Sequence, residues 1–329
     1  MILFTIHSAC NSFLFHYKNT TIKHIVHCTS YIVHHIFYLS HFRLVFCENI
    51  YMKTLLVLTD FSKAAEFAAS YACILAEQLK SSTIVLYHSY QVAIPVSEAV
   101  AFANDEEAMH QTSLQGLKDL EIQIKEKVSQ GVTIRQRTDM SGLSDINSIA
   151  KEEGAELIVM GTSNKTKFEE IFLGSVAITV CKSSDYPVVL VPASVEMQPV
   201  KQIVFACDMK EVEKTIPVAN FKMVLDTFKV PLTVLNVDGE DKHFTPETTS
   251  IETVTLHGIL KDYNANYFNI TNEDVVKGII EFTKLNHAAI VLLILKRHNF
   301  IESLFYRSVT RKLAYETPSP LLVLRESEE

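Results

Sequence analysis

No two cysteines in this chain of 329 residues are spaced as CxxC, so its six cysteines outline neither a zinc site nor a disulfide framework. A reducing, cytoplasmic setting is the simplest expectation. Basic runs are missing as well. Residues 52–329 hold 27 basic and 37 acidic side chains, a balance that argues against nucleic acid as a partner, because such binding rests on neutralising phosphates. There is no GxxxxGK[ST] and no carboxylate pair beside the loop described below. The groups that phosphoryl transfer uses to place a metal and an attacking water are therefore not evident. With 48% hydrophobic and 21% charged residues, the chain has the composition of a globular protein, long enough for two domains.

Residues 1–51 differ from the rest. They carry seven of the thirteen histidines and three of the six cysteines, but only four charged residues. They lack the ~18 or more uninterrupted apolar residues of a membrane span and the ordered regions of a signal peptide. His24, His27 and Cys28, with His34 and His35, have the chemistry of metal ligands, but no carboxylate partner and no CxxC joins them. The expectation is that Met52 initiates the folded body and that residues 1–51 are a leader outside it. A membrane-associating extension is the alternative. No membrane contact is expected of residues 52–329.

From Met52 the pattern alternates. An apolar run to Asp60 reads as a buried parallel strand. Ser62 is placed to cap a helix from about Lys63 to Lys80, with Ala65, Ala68, Ala72, Leu75 and Leu79 on one stripe. Strands follow at Thr83–Ser89, Val132–Thr138, Ala155–Met160 and Pro187–Val191. The intervening helices span about Glu98–Gln130, Leu143–Glu153 and Ser175–Ser184. This is the signature of a doubly wound parallel α/β sheet. It then starts again: Val200–Asp208 repeats the opening strand, with Lys201 for Lys53 and Asp208 for Asp60. Pro231–Val237, Ala265–Ile270, Ala288–Leu295 and Pro320–Leu324 repeat the others. A duplication of about 130–150 residues predicts two domains, 52–194 and 200–329.

The segment 157–175 is the richest in chemistry. An apolar strand ends in Gly161, a polar loop with Asn164, Lys165 and Lys167 follows, and Gly174-Ser175-Val176 opens a helix. Glycines and a helix N-terminus are how a backbone presents amides to a phosphate. In the second copy Leu295 is expected at the place of Gly161, allowing a one-residue gap, and Arg307 at that of Gly174. Lys296, Arg297 and His298 remain candidates for some other anion. His88 reads as a packed core histidine. Cys73, Cys181 and Cys207 read as inert core thiols.

Leu55-Leu-Val-Leu-Thr-Asp-Phe-Ser62, Glu153-Gly-Ala-Glu-Leu-Ile-Val-Met-Gly-Thr162 and the spacing Gly161, Asn164, Gly174-Ser175 resemble the universal stress protein family in a tandem, two-domain arrangement. Asn164 departs from the family's middle glycine. The resemblance implies two Rossmann-like sheets, each of five parallel strands in the order 3-2-1-4-5. It also implies an adenine nucleotide such as ATP, with Mg, in the first domain. Asp60 would meet the adenine or ribose edge, and Ser89 would hold the base through its backbone. Gly161, Asn164, Gly174, Ser175 and Val176 would surround ribose and phosphates, with Lys165 offsetting charge. Asp60 and Ser175 also have plain roles as caps of the helices that follow them. Three functions are compatible: a nucleotide-binding stress-response module with little turnover, a scaffold of the same fold binding no nucleotide, or a slow ATPase. The edge strands Val188–Val191 and Leu321–Leu324 imply pairing of the two domains, and a homodimer is a further expectation.

Overall fold

The computed structural model describes residues 52–90, 99–140, 142–162, 175–193, 195–238, 246–285, 290–296, 313, 317 and 319–326. His24, His27, Cys28, His34 and His35, the loop residues Asn164, Lys165, Lys167 and Gly174, the side chain of Ser175, and Arg297, His298 and Arg307 lie outside them.

The strands among the described residues form one ten-stranded sheet. Its first half comprises β1 (Thr54–Leu58), β2 (Thr83–Ser89), β3 (Thr133–Asp139), β4 (Leu157–Thr162) and β5 (Val188–Pro192). These are ordered β3-β2-β1-β4-β5 and parallel throughout. The second half comprises β6 (Ile203–Ala206), β7 (Leu232–Asp238), β8 (Asn266–Thr271), β9 (Ile290–Leu295) and β10 (Leu321–Arg325). It repeats the order as β8-β7-β6-β9-β10, again parallel. Central β1 is buried at every residue, as a parallel strand flanked on both sides and covered on both faces must be. Edge strand β3 instead has no fully buried residue, and its Arg137 bridges Asp139, Glu152 and Glu153 at 3.1, 2.7 and 3.2 Å. Charges of this kind keep an open edge from pairing with other chains.

Helix α1 (Lys63–Leu79) starts at Ser62, whose Oγ accepts from the Ala65 N–H at 3.3 Å. Its alanine–leucine stripe is wholly buried. Helix α2 (Ala99–Lys125) stops short of the expected Gln130, because the chain turns back toward β3 through Gly131 at φ 103°. Helix α3 (Ile146–Glu153) follows a single 3-10 turn and ends at Gly154, φ 65°. Helix α4 (Ser175–Ser183) leads into β5. In the second half, the counterpart of α1 is broken into α5 (Val212–Thr215) and α6 (Val218–Phe228) by Ile216-Pro217, as proline's missing N–H requires. Helices α7 (Pro246–Leu260) and α8 (Val275–Leu285) follow.

The two halves meet where β5 and β10 pair antiparallel, Val188 with Val323, Val189 with Leu322 and Leu190 with Leu321. Buried clusters therefore run across the joint on both faces: Val159, Val189, Leu322 and Leu292 on one, Ile158, Leu190, Leu321 and Leu293 on the other. Arg325 fastens the seam. Its guanidinium donates to the carbonyls of Lys182 (3.0 Å) and Ser183 (3.3 Å) at the C-terminus of α4 and pairs with Asp185. Asn220 of α6 donates to the Asp185 carbonyl at 2.8 Å. Replacing Arg325 with alanine is expected to lower the free energy of unfolding by about 1–3 kcal/mol, measurable by urea denaturation. An unchanged midpoint would show that the strand ladder alone holds the seam.

Candidate functional site

Helix α1 packs on one face of the sheet and helix α4 on the other, so the switch-point crevice of such a fold falls between the C-terminal ends of β1 and β4. Asp60 stands just beyond β1 and is exposed. Its Oδ1 accepts from the Ser62 N–H at 3.0 Å, forming a turn whose central residue, Phe61, has φ 59°. The Phe61 N–H donates to Thr59 Oγ1 at 3.0 Å. The Phe61 ring lies on the His88 imidazole, with centroids 4.4 Å apart, and against Gly116 of α2, where a Cβ would come within 2.7 Å of it. His88 is half-buried near the end of β2, and its Nδ1 is 2.6 Å from the Oγ of buried Ser113. Burial holds the imidazole pKa below its ordinary value, and Asp60 partly opposes this. Ser89 is the next residue, in register with Asp139 of β3.

Gly161 closes the other side. A Cβ there would lie 2.3 Å from the Ala64 carbonyl oxygen and 3.0 Å from the Ala65 nitrogen. The first turn of α1 thus packs its backbone directly on β4, and this fold contact alone demands glycine. Helix α4 runs antiparallel to the strands and so brings its N-terminus to the same edge, where Val176 is exposed. Asp60, Ser89, Gly161 and the start of α4 at Ser175-Val176 therefore lie at one edge of the sheet, by the C-terminal ends of β1, β2 and β4.

The second half keeps this backbone and changes its chemistry. Ladder registers align Asp208 with Asp60, Asn236 with His88 and Leu235 with Tyr87. They align Ile294, not Leu295, with Gly161 and need no gap. The expected placement of Leu295 is corrected accordingly: Leu295 matches Thr162, both being buried. Met209 repeats the left-handed turn at φ 53°, and Asp208 Oδ1 accepts from the Lys210 N–H at 3.2 Å. Ile294 brings a side chain to the face where glycine admits α1, and here the helix is broken. Lys296 is not the free anion ligand expected of it. Its Nζ donates to Asp208 Oδ1 (2.7 Å), Asp208 Oδ2 (3.0 Å) and the Lys210 carbonyl (2.8 Å). Sequence spacing gave no sign of this pairing across 88 residues.

The thiols of Cys73, Cys181 and Cys207 are pushed up to about 11, 12 and 12 by burial, which makes them poor nucleophiles at neutral pH. Among the described residues no group of three or more His, Cys, Asp or Glu side chains gathers as a metal site, and no helix is long and apolar enough to cross a membrane.

A doubly wound parallel sheet with a crevice at its switch point places the protein among Rossmann-like α/β proteins. The model of the universal stress protein family matches residues 52–192. Universal stress protein MJ0531 of Methanocaldococcus jannaschii is 30% identical over 150 residues, 44% of this chain and 84% of its own length. Universal stress protein MJ0577 of the same organism is 25% identical over 161 residues, 44% of this chain and 96% of its own. A universal stress protein structure from Archaeoglobus fulgidus superposes over 84% of this chain and 99% of its own, with TM-score 0.59 and 16% identity, and so shares the fold across both halves. The chain belongs to the universal stress protein family.

Gly161→Ala is expected to destabilise the protein by about 1–3 kcal/mol, because helix and strand backbones must separate; denaturant melts would show it. His88 supplies a pH dependence. With its folded pKa depressed, the unfolded chain takes up the proton first, so stability is complete above the unfolded value near ~6.5 and falls as pH drops from there toward the folded value. In His88→Asn, the residue the second half uses, the loss of melting temperature between pH 7 and pH 5 should be smaller than in the parent. Parallel curves would remove His88 as the cause.

Proposed function

We propose that residues 52–194 form a domain that binds an adenine nucleotide such as ATP with Mg, in a stress-response module with little turnover, and that residues 200–329 form a companion domain that holds none. The contrast between the two equivalent aspartates carries this reading. Asp60 is exposed at the crevice and makes no ion pair among the described residues, whereas Lys296 neutralises Asp208. The first carboxylate is available to a ribose or adenine edge. Ser89 and Gly161 would line the same crevice. The α4 N-terminus at Ser175 and Val176 is suited to phosphate by its unpaired amides. Asn164, Lys165 and Gly174 would complete the cradle; asparagine tolerates the left-handed angles of the glycine it replaces. Turnover is left out of the proposal because Asp60 would sit at the adenine end, remote from the terminal phosphate where metal and water must be placed.

Calorimetry of the full chain with ATP and magnesium tests the proposal. Saturable heat is expected, with tighter binding in Asn164→Gly and none in Gly174→Arg. Absence of heat at millimolar nucleotide would overturn it and favour the scaffold reading. One observation supports that reading: the Asp60–Ser62 turn recurs at Asp208–Lys210, so the turn by itself explains an aspartate there.

A further inference from the structure

The second half contains a cavity of about 100 Å³ at the C-terminal ends of β6, β7 and β9. Its walls include Phe205, Ile216, Leu235, Val275, Ile279 and Leu293, and nearly all of these side chains are buried. Two sequence differences from the first half bear on it. Leu235 stands where Tyr87 fills the first half with a buried ring whose hydroxyl donates to Asp139 at 2.8 Å. Ile216 belongs to the break that separates α5 from α6, where α1 is continuous.

Asp208 and Lys296 also line the cavity, and they cancel each other. The ammonium has three N–H groups, and two carboxylate oxygens and the Lys210 carbonyl accept from them. The Lys296 ammonium thus has no N–H left over for a phosphate, and the Lys296–Asp208 pair carries no net charge. A chamber lined mainly by apolar side chains, whose charged lining residues among those described cancel, selects a ligand by shape and hydrophobicity. Elsewhere, apolar cavities of about 150 Å³ stay dry and take up benzene.

We propose that the second half is a binding site for a small neutral apolar molecule, of the size of a single aromatic ring or a short branched alkyl group. It is separate in place and in chemistry from the nucleotide crevice proposed for the first half.

Benzene is the probe, titrated into the full chain and followed by calorimetry and by melting temperature. The expected result is saturable binding that raises the melting temperature. Leu235→Tyr, which restores the residue of the first half, and Ile279→Phe, which fills the chamber from α8, should each weaken binding by about tenfold or more. Cooperative melting of either variant suffices to show that the loss is not unfolding. ATP titrations of the same samples keep the two sites apart: the filling variants should leave any nucleotide heat unchanged, and Gly174→Arg should leave benzene binding unchanged. No saturable benzene effect in the parent up to its solubility, or parent-like binding in both filled variants, would overturn the proposal whatever ATP does.

Discussion

The antiparallel ladder between β5 and β10 is the constraint on which the rest depends. Each strand ends its own half and is apolar over its first four residues, with a row of N–H and C=O groups on its outer side. Left open, either edge would recruit another chain. Pairing satisfies both edges and joins two small cores into continuous ones on each face. It also sets the direction of everything else. Because the seam is antiparallel, the strands of the two halves point opposite ways, and their two switch-point crevices open on opposite edges of the sheet. The crevices cannot share one small ligand. Each can change chemically without disturbing the other.

That freedom is visible in what the repeat keeps and what it discards. The turn after the first strand is kept at the level of backbone angles, with Phe61 and Met209 both left-handed and an aspartate closing each turn. Both long helices end in a left-handed lysine, Lys80 and Lys229. Lys229 lies one residue later than the spacing of Asp60 and Asp208 requires, which places an extra residue in the broken helix, and the shorter approach to β7 restores the register. Geometry needed for the sheet is conserved within the chain. Side chains near the strand ends are not: Tyr87 becomes Leu235, His88 becomes Asn236 and Gly161 becomes Ile294.

Much of this fold is legible because central parallel strands are buried on both faces, and an apolar run of five or six residues ending in a polar one has few other solutions. Residues 55–59 and 203–208 announce themselves in that way, and the recurrence of lysine and aspartate at matching places reveals the duplication. The end of β9 is not legible in the same way. Leu293, Ile294 and Leu295 are all apolar, so composition cannot say which one faces the helix, and only the hydrogen-bonded register identifies Ile294. The meaning of Gly161 is also hidden from the sequence. Its spacing points to an anion, but its observed neighbour is the backbone of Ala64, almost a hundred residues away in the chain. Pro217 does carry a readable signal, a helix break that the first copy lacks. The joining of Lys296 to Asp208 carries none, since any lysine after a strand looks the same until the strand is placed.

The Lys296–Asp208 pair repays a further step of reasoning. In the first half the turn after β1 is held by Phe61 N–H donating to the Thr59 hydroxyl at 3.0 Å. In the second half the same amide, on Met209, meets the sulfur of Cys207 at 3.4 Å, and sulfur is the weaker acceptor. The neighbouring Asn236 gives its amide N–H to the Cys207 carbonyl at 2.8 Å but leaves its own carbonyl oxygen buried and without a partner among the described residues. The turn is therefore more poorly supported from within. An ammonium that ties the Asp208 carboxylate and the Lys210 carbonyl to the end of β9 supplies the missing restraint from outside, through charge-assisted hydrogen bonds. The pair is thus a structural restraint: a cation carried by the chain itself holds the turn beyond β6, which its own side chains support less well than those of the first half support theirs.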